Sequence, residues 1–373
     1  MLVARLLRYD IALVFRLTLV SGALGASYIH FHAVAMGAST SGLVGLGRGA
    51  FTGALIGVIL ASFEVLAMPS PAMAPFVRAP FLIHLSARAA IYLVVILFGL
   101  AAGAWLFPAP DDPHLWLPVR REDVVFGIVV SVIINFVMDV NRLLGQGVLL
   151  NFVIGRYHRP RLEERVFLFI DMQGSTALAE RLGPLAFHRL VNRFVIDLTE
   201  PIVAAHGEIH RYVGDQLIAT WRLADGVANA NCVLACFNAI DRLAKLAPDY
   251  VDEFGVGVSC RAALHRGQVV TGEMGSVKTE IVFLGDTLNT TARIEELCRQ
   301  TGHRVLASAI LIDLVELPPS IAKRSLGDQH LRGKEHDVIL YSLEKIDDEK
   351  TPPPPPCSKR ATAIGGISNL RYE

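Results

Sequence analysis

Charge is scarce in this chain: 19% of its 373 residues are Asp, Glu, Lys or Arg, and 35 basic residues cancel 35 acidic ones to a formal net charge of zero. A balanced chain has no whole-molecule attraction for nucleic acid, so any basic footprint has to be local. Cysteine is scarce too. Cys232, Cys236, Cys260, Cys298 and Cys357 all lie in the polar C-terminal portion and show no CxxC spacing, which argues against a disulfide framework or a metal finger. Cys232 and Cys236 stand one helical turn apart, but without a His or Cys partner at ligand spacing they are expected to be buried, reduced thiols. The first apolar run is too long, and too poorly followed by an AxA-type site, to read as a cleaved signal peptide.

In place of charge the sequence has apolar length. Hydrophobic residues make up 52% of the chain, more than an ordinary soluble protein carries. Four runs, roughly 11–31, 42–67, 82–107 and 124–150, are each long enough to cross a hydrocarbon core of about 30 Å as a helix. Basic residues in MLVARLLRYD, in the loop assigned Arg78 and Arg88, and in GRYHRPRLEER are expected on the cytoplasmic side, together with both termini. The loop PAPDDPHLWLPVRRED mixes acids with Arg120 and Arg121 and fits the outer side less cleanly. Residues 1–150 therefore read as an all-α bundle of four membrane helices in the inner (plasma) membrane, with lipid as its surroundings. The sequence identifies no ligand for it.

Within the bundle, GALIG at 53–57 has the GxxxG spacing of closely packed helices, or is ordinary membrane glycine. Asn135, Asp139, Asn141 and Arg142 in the fourth run are either functional at membrane depth or snorkel to the interface. GLGRGAFTG lacks the preceding strand of a phosphate loop. His30, His32 and His84 form no pair at matching depth for haem.

Residues 151–164 form a short charged linker, after which the periodicity changes. RVFLFIDM at 165–172 is a continuous apolar run of strand character. The following stretch to Gly207 reads as a helix with Ser175 or Thr176 as its N-cap. Two strands folded at Gly214-Asp215 form a hairpin. A second helix runs from about Asp225 to Glu253, GVSCRAALHRGQVVTGEMG gives two more strands, and a strand near RVLAS precedes a hairpin ending in VILYSLEK. The order β-α-β-β-α-β is that of the split βαβ, an α+β ferredoxin-like plan, over 165–346. Residues 347–373, with five consecutive prolines, read as an unpacked, disordered tail.

Chemistry can be placed on this plan. Asp171 ends the first strand and Asp215 stands at the neighbouring hairpin corner, so the two carboxylates can converge, and they repel unless a cation lies between them. Carboxylates with a backbone carbonyl suit Mg²⁺ carrying phosphates. MQGST, with Gly174, Ser175 and Thr176, offers backbone N–H groups at a helix start for an anion. In IVFLGDTLNTTAR, Asn289 and Arg293 lie at i and i+4 and share a helical face.

FIDMQGST, YVGDQLIATW, ALHRGQVVTGEMG, FLGDTLNTTARIE and LRGKEHDVILYSL, in that order, resemble the catalytic domain of class III nucleotidyl cyclases over roughly residues 160–345. The resemblance implies attack of the ribose 3′-hydroxyl of ATP or GTP on the α-phosphate, with release of pyrophosphate. It further implies two Mg²⁺ or Mn²⁺ ions per site on Asp171 and Asp215 with the Met172 carbonyl, Asn289 on the ribose, Arg293 on the pentavalent phosphorus and Lys334 on the distal phosphates. Two domains meeting head to tail as a homodimer would complete each site.

The chain departs from the pattern at the purine. Arg211 and Val282 occupy the base-selecting positions and reproduce neither the adenine nor the guanine pair; Lys278, Thr279 and Glu280 lie nearby in sequence. Gln268 stands where some relatives have a phosphate-binding Arg. Without an acceptor for guanine N1 and N2 the balance leans to adenine. The expectation is a membrane-bound adenylyl cyclase acting on ATP in intracellular signalling; a guanylyl cyclase and a catalytically weak nucleotide-binding membrane receptor remain as alternatives.

Overall fold

A computed structural model describes residues 2–35, 42–68, 81–108 and 154–346, with scattered positions between. It divides into two compact units, residues 1–161 with 271–282, and residues 162–270 with 283 onward.

The first unit contains the helices α1 (Leu2–Ala35), α2 (Gly42–Ser62), continued by a π-helical turn (Phe63–Ala67), and α3 (Phe81–Leu106). Gly42–Ala67 and Ile83–Leu106 are long and apolar enough to cross a membrane, with mean hydropathies of 2.0 and 2.3. The fourth run, with Asn135, Asp139, Asn141 and Arg142, and the tail with Cys357 lie largely or wholly outside the described residues. Small residues bring α1 onto α2: a Cβ on Gly25 would overlap the Gly49 carbonyl, and one on Gly57 would sit 2.5 Å from Ser21 Cβ. GALIG thus serves close helix packing, as its spacing suggested.

Arg88 is not in a loop. It lies inside α3, and its side chain is 3% exposed. Its Nη2 and Nε donate to Glu64 Oε1 at 2.6 and 3.1 Å, and Tyr92 Oη donates to the same oxygen at 2.6 Å. Glu64 stands in the π-helical turn, where one extra residue per turn swings it toward α3.

The second unit contains β1 (Arg161–Met172), α4 (Ser175–Ala204), β2 (Glu208–Val213), β3 (Gln216–Arg222), α5 (Asn231–Lys245), α6 (Ala247–Phe254), β4 (Cys260–Met274), β5 (Glu280–Leu284), α7 (Asp286–Thr301), β6 (Val305–Ser308), β7 (Ile321–Gln329) and β8 (Val338–Lys345), with parts of β4 and β5 in the first unit. The sheet order is β2-β3-β1-β4-β6-β8-β7, with β5 pairing β4 off this path. Its first four strands have the order expected of a split βαβ, and β6, β8 and β7 extend it.

Alternation along the central strands sorts the core. Val166, Leu168, Ile170 and Met172 of β1, with Cys260, Ala262 and Leu264 of β4, face α4 and α5. Phe167 and Phe169 face the opposite side with Leu288 and Ala292 of α7, and Ala263 joins Ile294 and Cys298 there. β1 is buried on both faces, which is why it reads as an unbroken apolar run.

Several local expectations change. The N-cap of α4 is Gly174 at φ 71°, not Ser175 or Thr176; only glycine takes that left-handed turn without strain. The second helix is broken before Asn231–Lys245, where Asn229 and Ala230 carry positive φ, and again at Leu246, after which Ala247–Phe254 starts afresh with Pro248 in its first turn. GVSCRAALHRGQVVTGEM forms the single long strand β4 rather than two. Although Leu223–Lys245 is apolar enough to be a span, its buried face packs into this unit's core. The four described cysteines are free and buried, as expected; burial pushes the Cys260 thiol up to about 11.

Two outcomes follow. Glu64→Ala leaves Arg88 without its carboxylate and should destabilise the first unit by about 3–5 kcal/mol, whereas the double replacement Glu64→Leu/Arg88→Leu should recover most of that; unfolding in mixed micelles reads both. His265, buried against Ser308 Oγ at 2.8 Å, has its pKa lowered to about 4, chiefly by burial. Its neutral form stabilises the fold fully above about pH 6.5, and that contribution, on the order of 3 kcal/mol, is lost as pH falls toward 4. Denaturant unfolding between pH 7 and 4 should show the loss, and His265→Asn should flatten it.

Candidate active site

The register of β1 against β3 pairs Asp171 with Gln216, which sets Asp215, at the turn between β2 and β3, beside Asp171. Asp171 follows Phe167 and Phe169 in alternation, so it points to the α7 side, while Met172 turns the other way and buries its side chain among the core helices. The turn carrying Gly174 is tied down by Gln173 N donating to the Ser259 carbonyl at 2.9 Å and by Ser259 Oγ donating to Gln173 Oε1 at 2.7 Å. This holds the start of α4, with Gly174, Ser175 and Thr176, next to Asp171, where its free N–H groups favour an anion.

The carboxylates feel each other. Asp171 is held above the usual carboxylate range, first by burial and next by the charge of Asp215. Asp215 Oδ2 is buried and has no hydrogen-bond partner among the described residues. Such an orphaned oxygen beside a second carboxylate fits a divalent cation, which would satisfy it. Among the described residues no three His, Cys, Asp or Glu side chains gather tightly enough to hold a metal by themselves. An ion here would complete its shell with backbone, water or ligand oxygens, as Mg²⁺ does.

Two further groups close the site, and sequence reasoning missed both. Arg261, on the α7 face of β4, reaches Asp171 Oδ2 with Nη2 at 3.5 Å and lies with Nε 3.9 Å from Glu295 Oε1. Glu295 is buried on α7 and, like Asp171, has its pKa raised, first by burial and next by the Asp171 charge. The alternation Arg261-Ala263-His265 was the available signal for the arginine. Glu295 follows Arg293 by two residues and gave no sign in the sequence that it faces inward.

Asn289 and Arg293 are both exposed on α7. Two residues turn a helix by about 200°, so with Glu295 facing Asp171, Arg293 points away from its own chain's Asp171. Arg293 Nη1 instead donates to Glu296 Oε2 at 3.0 Å. α7 is fastened to β4 by Thr287 Oγ1 donating to the Gln268 carbonyl at 2.7 Å and by Cys298 Sγ donating to the Ala262 carbonyl at 3.4 Å. The Gln268 side chain is exposed. Lys334 Nζ bonds the Asp286 carboxylate at the start of α7, and that ammonium holds Asp286 below the usual carboxylate range. Arg211 is exposed in β2 beside a bulge, and Val282 is half-buried in β5. The structure thus brings Asp171, Asp215 and the α4 start together, keeps Asn289, Arg293 and Lys334 around the exposed side of α7, and leaves Arg211 on a strand edge.

Comparison with known proteins adds the family. The model described as adenylate and guanylate cyclase catalytic domain matches residues 158–345. "Adenylate cyclase 2" of Rhizobium meliloti (strain 1021) is 35% identical over 259 residues, 68% of this chain and 71% of that protein. "Adenylate cyclase" of Anabaena cylindrica is 27% identical over 184 residues, 48% of this chain and 36% of that protein. Among solved structures, a bacterial light-regulated adenylyl cyclase is 21% identical, with a TM-score of 0.51, covering 60% of this chain and 65% of that one; this likeness concerns the fold. With half of its length matched by the family model and two thirds shared with a relative, the chain belongs to the adenylate and guanylate cyclase catalytic-domain family.

Proposed function

We propose that this chain is a membrane-anchored adenylyl cyclase that closes ATP to 3′,5′-cyclic AMP and pyrophosphate at two sites shared across a homodimer, with the catalytic unit in the cytoplasm below the inner membrane. The observation that carries this reading is the opposition on α7: Glu295 turns toward Asp171 while Arg293 turns away, so each chain holds half of a site.

Two divalent ions, Mg²⁺ or Mn²⁺, held by Asp171, Asp215 and the Met172 carbonyl, would acidify the 3′-hydroxyl and neutralise the triphosphate. The free N–H groups of Gly174, Ser175 and Thr176 bind phosphate oxygens at the start of α4. From the partner chain, Asn289 hydrogen-bonds the ribose and fixes the attacking hydroxyl. Arg293 exchanges Glu296 for the charge growing on the α-phosphorus, which stabilises the transition state by several kcal/mol in a water-poor site. Lys334 leaves Asp286 for the distal phosphates.

Arg211 donates to adenine N1, and Val282 offers no acceptor for guanine. The names of the relatives from Rhizobium and Anabaena favour ATP as well. A nucleotide-binding receptor with weak turnover is the second reading, favoured by the engagement of Arg293 and Lys334 with their own chain's carboxylates.

Co-expression tests the shared site. Asp171→Ala and Arg293→Ala should each lower turnover by a hundredfold or more, on the scale of losing a principal charge-stabilising group. Mixed together, they should regain a fraction of wild-type activity, because one site of each mixed dimer escapes both lesions. Demonstrated heterodimers that stay inactive would refute the model. Product analysis with ATP and GTP should find cyclic AMP favoured by less than about a hundredfold, since greater selectivity needs matched polar contacts.

A further inference from the structure

Arg261 is caught between two carboxylates that have different needs. Asp171, with Asp215 beside it, is proposed above to receive a cation; Glu295 has no such prospect. Both atoms of the longer contact are buried without hydrogen-bond partners among the described residues: Arg261 Nε and Glu295 Oε1, 3.9 Å apart. A buried guanidinium N–H and a buried carboxylate oxygen facing each other unpaired carry the full desolvation penalty of both groups. A movement of about 1 Å would bring them to hydrogen-bond distance. The scaffold for that movement is present, because the Cys298 thiol, one turn beyond Glu295, is bonded to the carbonyl of Ala262, the residue after Arg261.

We propose that Glu295 is a positioning residue that draws the Arg261 guanidinium off Asp171, freeing that carboxylate for a divalent cation. The inference rests on the reading of Asp171 and Asp215 as cation ligands. Arg261 leans on Asp171 at 3.5 Å and partly neutralises it. With a cation seated, like charges separate, and Glu295 is the one other carboxylate in salt-bridge reach of Arg261 among the described residues. Glu295 sits on α7, the helix that carries Asn289 and Arg293, so the exchange pulls on the element proposed to serve the partner's site.

The test is Mn²⁺ binding to the full chain in micelles, measured as loss of the free-ion EPR signal without nucleotide. Asp171→Ala should abolish the site; if it does not, the cation assignment itself fails. Given that loss, Glu295→Gln should weaken Mn²⁺ about tenfold by leaving Arg261 on Asp171, a coupling within the usual range for side chains in contact. Arg261→Met should tighten binding, and adding Glu295→Gln to Arg261→Met should change nothing further. Unaltered affinity in Glu295→Gln overturns the proposal. So does a tenfold loss that survives in the double variant, for Glu295 would then act on the ion by its own charge. Should Glu295→Gln fail to fold, Glu295→Asp keeps the charge but draws it back by one methylene; it should weaken Mn²⁺ severalfold, and wild-type affinity would overturn the proposal.

Discussion

The repulsion between Asp171 and Asp215 is the constraint around which the catalytic unit is arranged. Two carboxylates at the end of a strand buried on both faces cannot be relaxed by water in the usual way, and burial raises Asp171 further. Two nearby features answer that excess of negative charge, while Glu295 adds to it. Arg261 leans on Asp171, the α4 start presents its positive end, and Asp215 keeps one oxygen unpartnered. A carboxylate pair serving only the fold would be better replaced by apolar residues, because two like charges taken out of water carry both the desolvation penalty and their mutual repulsion. The arrangement makes physical sense as a place prepared for a cation and a phosphate chain.

The sequence showed the frame of this unit because the frame is made by periodicity. β1 is apolar on consecutive positions, since helices cover one face and α7 the other, and the hairpin corner at Gly214-Asp215 is a local signal. The order β2-β3-β1-β4 follows from that plan. Hidden were the features set by tertiary contact. β4 runs on through a Gly where two strands were expected, because its later residues pair with β5. Gly174 rather than a hydroxyl residue starts α4, since the chain must turn sharply off β1. The Arg261–Glu295 pair joins a strand and a helix 34 residues apart in the chain; strand alternation hinted at the side Arg261 takes, but nothing local to Glu295 distinguishes it from an ordinary surface charge.

The first unit follows a different logic. Its candidate spans are apolar nearly all round, so hydrophobicity alone cannot choose partners, and contact is made by the absence of side chains and by polar groups. Gly25, Gly49, Gly53 and Gly57 let α1 and α2 touch backbone to backbone. Glu64, Arg88 and Tyr92 then bind α2 to α3 through one carboxylate oxygen. Arg88 read as a loop residue because positive charge is normally excluded from hydrocarbon; a π-helical turn that delivers a carboxylate to it removes that objection.

α7 joins these themes. A helix has about 100° between successive residues, so one that packs with Ile294, Glu295 and Cys298 must present Asn289 and Arg293 elsewhere. The inward face is fixed by Thr287 and Cys298 bonding to backbone carbonyls of β4, and these bonds leave the helix little freedom to roll. A chain so built cannot fold Arg293 back onto its own Asp171 without unpacking that face. Under the shared-site proposal, incompleteness of the single chain is a consequence of how α7 packs, and a second copy would repair it without moving the helix, since the exposed amide and guanidinium are already displayed one turn apart.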